Sequence, residues 1–145
     1  LISIETINGG NGNDVIDITS PDTNLTYSIT LNGDAGDDVI WASGGGDNLN
    51  GGDGDDILYG GLGVDNLTGG NGADTFKFCN QSGNDIIKDY NKADGDKLAF
   101  YIQNGDNQNV SFSGDTITWG SLSIQLEGLT LYSTNDFLVE YNIVA

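Results

Sequence analysis

The chain contains no histidine and no methionine, one proline, one cysteine and only four Lys or Arg in 145 residues. Without histidine, a His general base, a His-activated nucleophile and a His-ligated zinc or iron centre are excluded. Cys79 has no second cysteine to pair with, so stability in an oxidising compartment must come from another source; it reads as a packing residue or an inert thiol. No apolar run approaches the ~20 residues that a membrane-spanning helix needs, and no basic-then-apolar leader is present. The scarcity of positive charge argues against nucleic acid and anionic membrane surfaces as partners. A chain that begins at Leu1 and has no Met is expected to be a piece of a longer protein.

What is abundant is acid and glycine: 22 Asp or Glu against four Lys or Arg give a net charge of −18, Gly fills 23 positions, and apolar residues make up 37%. Carboxylates this dense need cations, because a compact state would otherwise crowd like charges into low dielectric and self-repulsion would expand the chain.

Residues 42–77 divide into four consecutive nonamers, ASGGGDNLN, GGDGDDILY, GGLGVDNLT and GGNGADTFK; GDAGDDVIW from Gly33 keeps their register and GGNGNDVID at Gly9 is an earlier copy. The sixth places are Asp14, Asp38, Asp47, Asp56, Asp65 and Asp74, and the eighth places are Ile16, Ile40, Leu49, Leu58, Leu67 and Phe76. A Gly/Asp-rich tract alone would read as a flexible acidic linker, but a linker has no reason to hold an apolar residue at one offset through six copies. Glycines permit a tight positive-φ turn, Asp supplies a hard oxygen ligand, and the last three places form a short strand with one inward side chain.

One such unit cannot bury its single apolar residue, so units must stack as a solenoid of two facing parallel sheets, two nonamers per coil, with turns in two columns at the edges. The fifteen residues between Asp17 and Gly33 read as an enlarged turn, placed at about 18–32 and centred on Thr19 to Thr26, followed by a normal strand within the alternation Tyr27, Ile29, Leu31. One turn column then holds Asp14, Asp38, Asp56 and Asp74, and the other the enlarged turn, Asp47 and Asp65. The expected core is Ile16, Ile40, Leu58 and Phe76 facing Ile7, Ile29, Leu49 and Leu67. It is too thin to outweigh alone the ordering entropy of a glycine-rich chain.

The repeat region is placed at 1–77 and a second region at 78–145. The latter opens with a loop at Asn80 to Asn84 and a short apolar segment, Asp85 to Tyr90. Alternating runs at Lys97 to Ile102, Val110 to Phe112, Thr116 to Trp119 and Leu122 to Leu126 are expected to be antiparallel strands capping the roll. Asp136 to Ala145 reads as a final strand or a recognition tail.

Calcium takes about six to eight oxygens at ~2.3–2.6 Å from carboxylates and carbonyls, which stacked Gly/Asp turns offer; magnesium insists on octahedral geometry, and transition metals find neither His nor a Cys cluster. Four to seven ions are expected from the number of stacked turn pairs. Asp85, Asp89 and Asp96 stand open between ligands and plain loop carboxylates. Trp41, Trp119 and the tyrosines stand open between a sugar-stacking platform and core or surface filler. No nucleophile and base pair is recognisable, so no catalytic residue and no organic cofactor is assigned.

The nonamers resemble those of RTX (repeats-in-toxin) proteins, exported by bacterial type I secretion systems; the resemblance covers residues 9–17 and 33–77, and GGDGDDILY fits the motif at every place. It implies an all-β, parallel β-roll with each calcium held between turns two repeats apart, by second-, fourth- and sixth-place groups of one and first-, third- and sixth-place groups of the next. One site would join Gly52, Gly54 and Asp56 to Gly69, Asn71 and Asp74; a second Asp34, Gly36 and Asp38 to Gly51, Asp53 and Asp56. On the other edge Ser43, Gly45 and Asp47 would meet Gly60, Leu62 and Asp65. A fourth would join Gly10, Gly12 and Asp14 to Gly33, Ala35 and Asp38. Beyond the last repeat, Gly61, Gly63 and Asp65 would be completed by Asp85 or Asp89, since DIIKDY is similar to the D-x-I-x-D-F element that closes many such rolls. Ala42, Ser43 and Asp34 depart from the motif's leading glycines, so their turns are expected to be strained or differently liganded. Asp136-Phe-Leu-Val is similar to the acidic-plus-apolar ending of some type I exported proteases, a candidate secretion signal, although Glu140 to Ala145 follow it.

The resemblance implies the non-catalytic C-terminal segment of a larger, secreted or cell-surface bacterial protein, unfolded at low cytosolic calcium and folding after export, with calcium, the secretion machinery and the rest of the parent chain as partners. The alternative is an extracellular module that binds polysaccharide or another ligand for an adhesin or exoenzyme, marked by an exposed aromatic row.

Overall fold

The computed structural model describes residues 4–19, 26–79, 81–103, 110–128 and 138–144. Among them there is no helix, hence none long and apolar enough to cross a membrane. The chain is an all-β parallel solenoid of two facing sheets. The first sheet takes β1 (Thr6–Asn11), β3 (Thr30–Ala35), β6 (Asn48–Asp53) and β9 (Asn66–Asn71) side by side; the second takes β2 (Val15–Asp17), β4 (Val39–Trp41), β7 (Ile57–Tyr59) and β10 (Thr75–Cys79). All of these pairs are parallel, and from β6 onward successive partners are 18 residues apart, as in Asn48↔Asn66 and Ile57↔Thr75. Two nonamers therefore close one coil. Short strands β5 (Gly44–Gly45) and β8 (Leu62–Gly63) pair separately along one edge.

A three-residue strand points its middle residue inward and its neighbours outward. Ile16, Ile40, Leu58 and Phe76 thus stack inside one sheet against Ile7, Leu31, Leu49 and Leu67 of the other. The expected Ile29 is corrected to Leu31, which is fully buried and pairs with Leu49, whereas Ile29 is only partly buried at the edge. The reason lies in the turn: Ile29 stands one coil before Asp47, and its N–H donates to the Asp47 carboxylate, so the inward place falls two residues later. Residues 20–25 of the enlarged turn lie outside the described residues.

Parallel stacking does not stop with the nonamers. β11 (Ile86–Ile87) adds to β9 and β12 (Lys97–Gln103) adds to β10, at steps of 20 and 22 residues (Asn66↔Ile86, Thr75↔Lys97). β15 (Leu122–Leu126) then adds in parallel to β11, and β16 (Leu138–Val144) to β12. The expectation of antiparallel capping strands holds for β13 (Val110–Ser113), β14 (Thr116–Trp119) and β15, which form a meander, and is corrected for Lys97 to Ile102, which lie in the parallel strand β12. Of the two readings of Asp136 to Ala145, the described residues Leu138–Val144 form the final strand. Alternation reports a half-buried strand but not the direction of its partner. Asp136, Phe137 and Ala145 lie outside the described residues.

The core thickens towards this end. Phe78, Phe100 and Trp119 are buried, with Phe78 and Phe100 centroids 5.7 Å apart and Trp119 edge-on to Phe100 at 5.1 Å. Aromatic pairs of this kind add stabilisation beyond their buried area. The narrow repeat coils thus rest on a broader apolar block.

Candidate calcium sites

From Asp38 and Asp47 onward, each sixth-place Asp is held by the coil on either side of it. Asp14, Asp38 and Asp56 donate their backbone N–H to Oδ1 of Asp38, Asp56 and Asp74 respectively, at 2.7, 2.7 and 3.0 Å, and Asp74 N–H donates to Asp96 Oδ1 at 3.0 Å. On the opposite edge, the N–H groups of Ile29, Asp47 and Asp65 donate to Oδ1 of Asp47, Asp65 and Asp85, at 3.0, 2.8 and 3.1 Å. The chain therefore carries one ladder of five carboxylates, Asp14, Asp38, Asp56, Asp74 and Asp96, and one of three, Asp47, Asp65 and Asp85.

The second oxygen of these groups carries the chemistry. Oδ2 of Asp14, Asp38, Asp47, Asp56, Asp65, Asp74 and Asp85 is buried with no hydrogen-bond partner. A buried carboxylate oxygen without a partner is costly unless a cation or a proton meets it. Burial is the main cause that pushes Asp74 and Asp85 up to about 7 and Asp65 to about 6, and it raises Asp47, Asp56 and Asp96 as well. Neighbouring carboxylates add to the rise at Asp56 and Asp74. Each ladder is thus short of positive charge along its whole length.

Backbone oxygens converge on the same places. A Cβ added at Gly9 would lie 2.9 Å from both Asp14 Oδ2 and Gly33 O; one at Gly33 would meet Asp38 Oδ2 and lie 2.6 Å from Gly51 O; one at Gly51 would meet Asp56 Oδ2 and lie 2.6 Å from Gly69 O. On this edge first-place glycine is needed because the carboxylate and the next coil's carbonyl fill the space of a side chain, whereas the first place of the Asp47 turn on the other edge is Ala42. Among the described residues no three acidic or cysteine side chains gather in metal-binding reach; the donor set is a pair of carboxylates with carbonyls, which suits a hard cation.

The two edges differ in detail. On the first, third-place carbonyls of Ala35, Asp53 and Asn71 accept from the N–H groups of Gly12, Gly36 and Gly54, leaving each carbonyl a second lone pair. On the other, Ser43 O accepts from Leu62 N–H, and Ser43 Oγ is buried without a partner. The second- and fourth-place glycines Gly10, Gly12, Gly36, Gly45, Gly52, Gly54, Gly61, Gly63, Gly70 and Gly72 all have positive φ. Asp34, in a second place, is forced to φ 78° and is the one non-glycine so placed among the described residues, a strain that Asp tolerates better than most residues. Ala42 is fully buried and Gly60 packs against Asp65.

Asp85 and Asp89, equivalent from sequence, separate in the structure. Asp85 extends the second ladder with a free Oδ2, whereas both Asp89 oxygens are taken, by Gly69 N–H and Gly70 N–H at 2.9 Å each. Asp89 is a clamp on the last nonamer's turn. Asp96, left open from sequence between ligand and loop carboxylate and placed in none of the implied sites, is the last rung of the first ladder, and its Oδ2 is closed by Asn91 N–H at 2.7 Å. Its signal was present: Asp96-Lys97-Leu98, like Asp85-Ile86-Ile87, puts Asp two residues before a buried apolar side chain, as every nonamer does.

Stacked Gly/Asp turns with unpartnered carboxylate oxygens define a calcium-binding parallel β-roll. The repeats that build it are RTX repeats: residues 3–17, 30–58 and 41–76 match the RTX calcium-binding nonapeptide repeat, in four copies. The chain is similar to the extracellular lipase LipA of Serratia marcescens, with 31% identity over 92% of this chain and 20% of that one and a TM-score of 0.36. It is also similar to the AlgE6R2 subunit of the Azotobacter vinelandii mannuronan C5-epimerase, with 23% identity over 99% of this chain and 96% of that one and a TM-score of 0.36. No curated protein matches the chain. It spans about a fifth of the length of the lipase chain.

Proposed function

We propose that this chain is a calcium-driven folding segment of the C-terminal part of a larger secreted or cell-surface bacterial protein, unfolded in the low calcium of the cytosol, passed by a type I secretion system, and folded outside. The observation that carries this reading is the set of seven buried Asp Oδ2 atoms without a partner, in two ladders, on a chain of net charge −18. Bound calcium supplies the positive charge and oxygen coordination that the ladders lack. The gaps between successive rungs that both keep a free Oδ2 number three on the first ladder and two on the second, so five ions fit. The sites join the turns of Asp14 and Asp38, Asp38 and Asp56, Asp56 and Asp74, Asp47 and Asp65, and Asp65 and Asp85, and Asp96 closes the first ladder without a free oxygen.

The chain's own groups prepare these sites. Beyond Asp14, Oδ1 of each rung fastens the coil before it, Oδ2 stays available on every rung but Asp96, and glycine lets carbonyls approach. Because the ladder exists only when coils are stacked, calcium binds the folded form alone and stabilises it by mass action. Extracellular sites with Kd of ~10⁻⁴–10⁻³ M switch across the gradient between cytosol and exterior.

The test is far-UV circular dichroism of chelator-treated protein titrated with calcium, with magnesium as the control. A cooperative gain of β-structure with calcium and none with magnesium is expected. A metal-free protein already folded and indifferent to calcium would sink the reading.

A further inference from the structure

The outer face of the second sheet carries aromatic side chains that neither the core nor the turns use. Trp41 of β4 and Tyr59 of β7 are register partners, both at the outward third place of their strands, with Asp17 of β2 beside Trp41. Lys77 is the outward residue that follows Phe76 on β10, and two residues on, Cys79 pairs with Tyr101 of β12. With Thr19, these side chains line a groove of about 530 Å³ whose walls are mainly apolar. Lys77 Nζ lies 5.6 Å from the centre of the Tyr101 ring, and Tyr59 Oη lies 3.2 Å from Cys79 Sγ, which leans the Tyr59 ring towards the adjacent strand β10. Trp41 remains 38% exposed.

An exposed aromatic residue alone is ordinary, but three aromatic rings lining one groove, one of them under the Lys77 amine, on a chain with four basic residues are not surface filler. The chemistry of the groove narrows its occupant. A polyanion is repelled by Asp17 beside Trp41 and by a chain that stays net negative even with its calcium bound, and a cation is repelled by Lys77 and drawn instead to the turns. A purely apolar segment would cover the Lys77 amine without offering it a hydrogen-bond acceptor. A sugar ring offers C–H faces to the aromatics and hydroxyls to the amine. Its dimensions agree as well: from β4 to β12 is three strand spacings of about 4.8 Å, about 14 Å in all, room for a short run of pyranose rings.

We propose that this groove binds an uncharged polysaccharide, its pyranose rings stacked on Trp41, Tyr59 and Tyr101 and the Lys77 amine donating hydrogen bonds to hydroxyls between them. The site lies on the sheet face, away from the carboxylate ladders, and does not depend on how the segment reaches the cell exterior.

The calcium-loaded full chain is titrated with cellohexaose, mannohexaose and xylohexaose, and with an oligoglucuronate and a leucine-rich amphipathic peptide, by calorimetry and tryptophan emission. Trp119 is only 2% exposed, so a change in emission reports on Trp41. Saturable binding of at least one neutral hexaose with a blue shift is expected. Trp41→Ala and Tyr101→Ala should each weaken it by about tenfold or more, with the calcium-dependent circular dichroism of both variants unchanged. Lys77→Gln, which keeps a donor, should weaken it less than Lys77→Leu. The proposal is overturned if no neutral hexaose binds, if the oligoglucuronate or the peptide binds more tightly, or if Trp41→Ala leaves the affinity as it was.

Discussion

Replacing Asp74 by Asn should stabilise the metal-free protein and weaken its response to calcium. The Asp74 side chain is fully buried; Oδ1 accepts from Asp56 N–H at 3.0 Å and Oδ2 has no partner. Asn keeps the acceptor and the volume and removes the charge. Burial, with the Asp96, Asp56 and Asp89 carboxylates nearby, lifts Asp74 from 3.8 to about 7. At about 1.4 kcal/mol per pH unit, holding it ionised at pH 8 costs the metal-free fold up to about 4 kcal/mol, reduced to roughly 2 by water at the turn edge. The assay is folding of chelator-treated protein by the osmolyte TMAO, which strengthens effective burial, followed by circular dichroism. Asp74→Asn should fold at lower osmolyte by about 2 kcal/mol, while its calcium midpoint moves to higher concentration and its calcium-loaded Tm falls. A variant that is harder to fold in chelator would show that the carboxylate supports the metal-free fold and would refute the charge argument.

Acidification should act on the metal-free chain in the same direction. Asp65, at about 6, and Asp74 and Asp85, at about 7, lie above the ordinary 3.8. Their contribution to folded-state stability is therefore full below 3.8 and is lost as pH rises through 6 to 7. Chelator-treated protein should gain β-structure on titration from neutral towards pH ~4, whereas acid should weaken calcium binding because protons compete for the same oxygens; circular dichroism against pH with and without calcium checks both signs. Leu31→Ala should cost the calcium-loaded protein about 2–5 kcal/mol and Ile29→Ala distinctly less, measured by urea unfolding in calcium; equal losses would contradict the register. Asp89→Ala removes two charge-assisted hydrogen bonds from the turn at Gly69 and Gly70 and should lower the calcium-loaded stability by about 2–4 kcal/mol. If Asp89 is a clamp and not a ligand, that variant keeps the wild-type number of bound ions, counted by titration against a calcium indicator.

Much of this architecture was legible in the sequence because its determinants are local and repeated. Asp at the sixth place and an apolar residue at the eighth fixed the phase, the two turn columns, the inward residues Ile16, Ile40, Leu58 and Phe76, and calcium as the cation. Each nonamer states its own turn and strand, and stacking identical units multiplies that statement. Outside the repeat, the decisions passed to contacts that no neighbouring residue encodes. Leu31 rather than Ile29 entered the core because the Asp47 carboxylate, a coil away, claimed the Ile29 N–H. Lys97–Gln103 and Leu138–Val144 joined the parallel stack because the open edge of β10, and then of β12, offered backbone partners that alternation cannot name. Asp85, Asp89 and Asp96 look alike as acidic loop residues, yet one became a rung with a free oxygen, one a clamp on two glycine N–H groups and one a closing rung sealed by Asn91, since their roles depend on which backbone donors lie within about 3 Å. The sequence by itself determined a calcium-binding roll; where the roll ends, and which side chains line its outer groove, only the tertiary structure decided, because those outcomes depend on hydrogen-bond donors and strand edges brought together from distant parts of the chain.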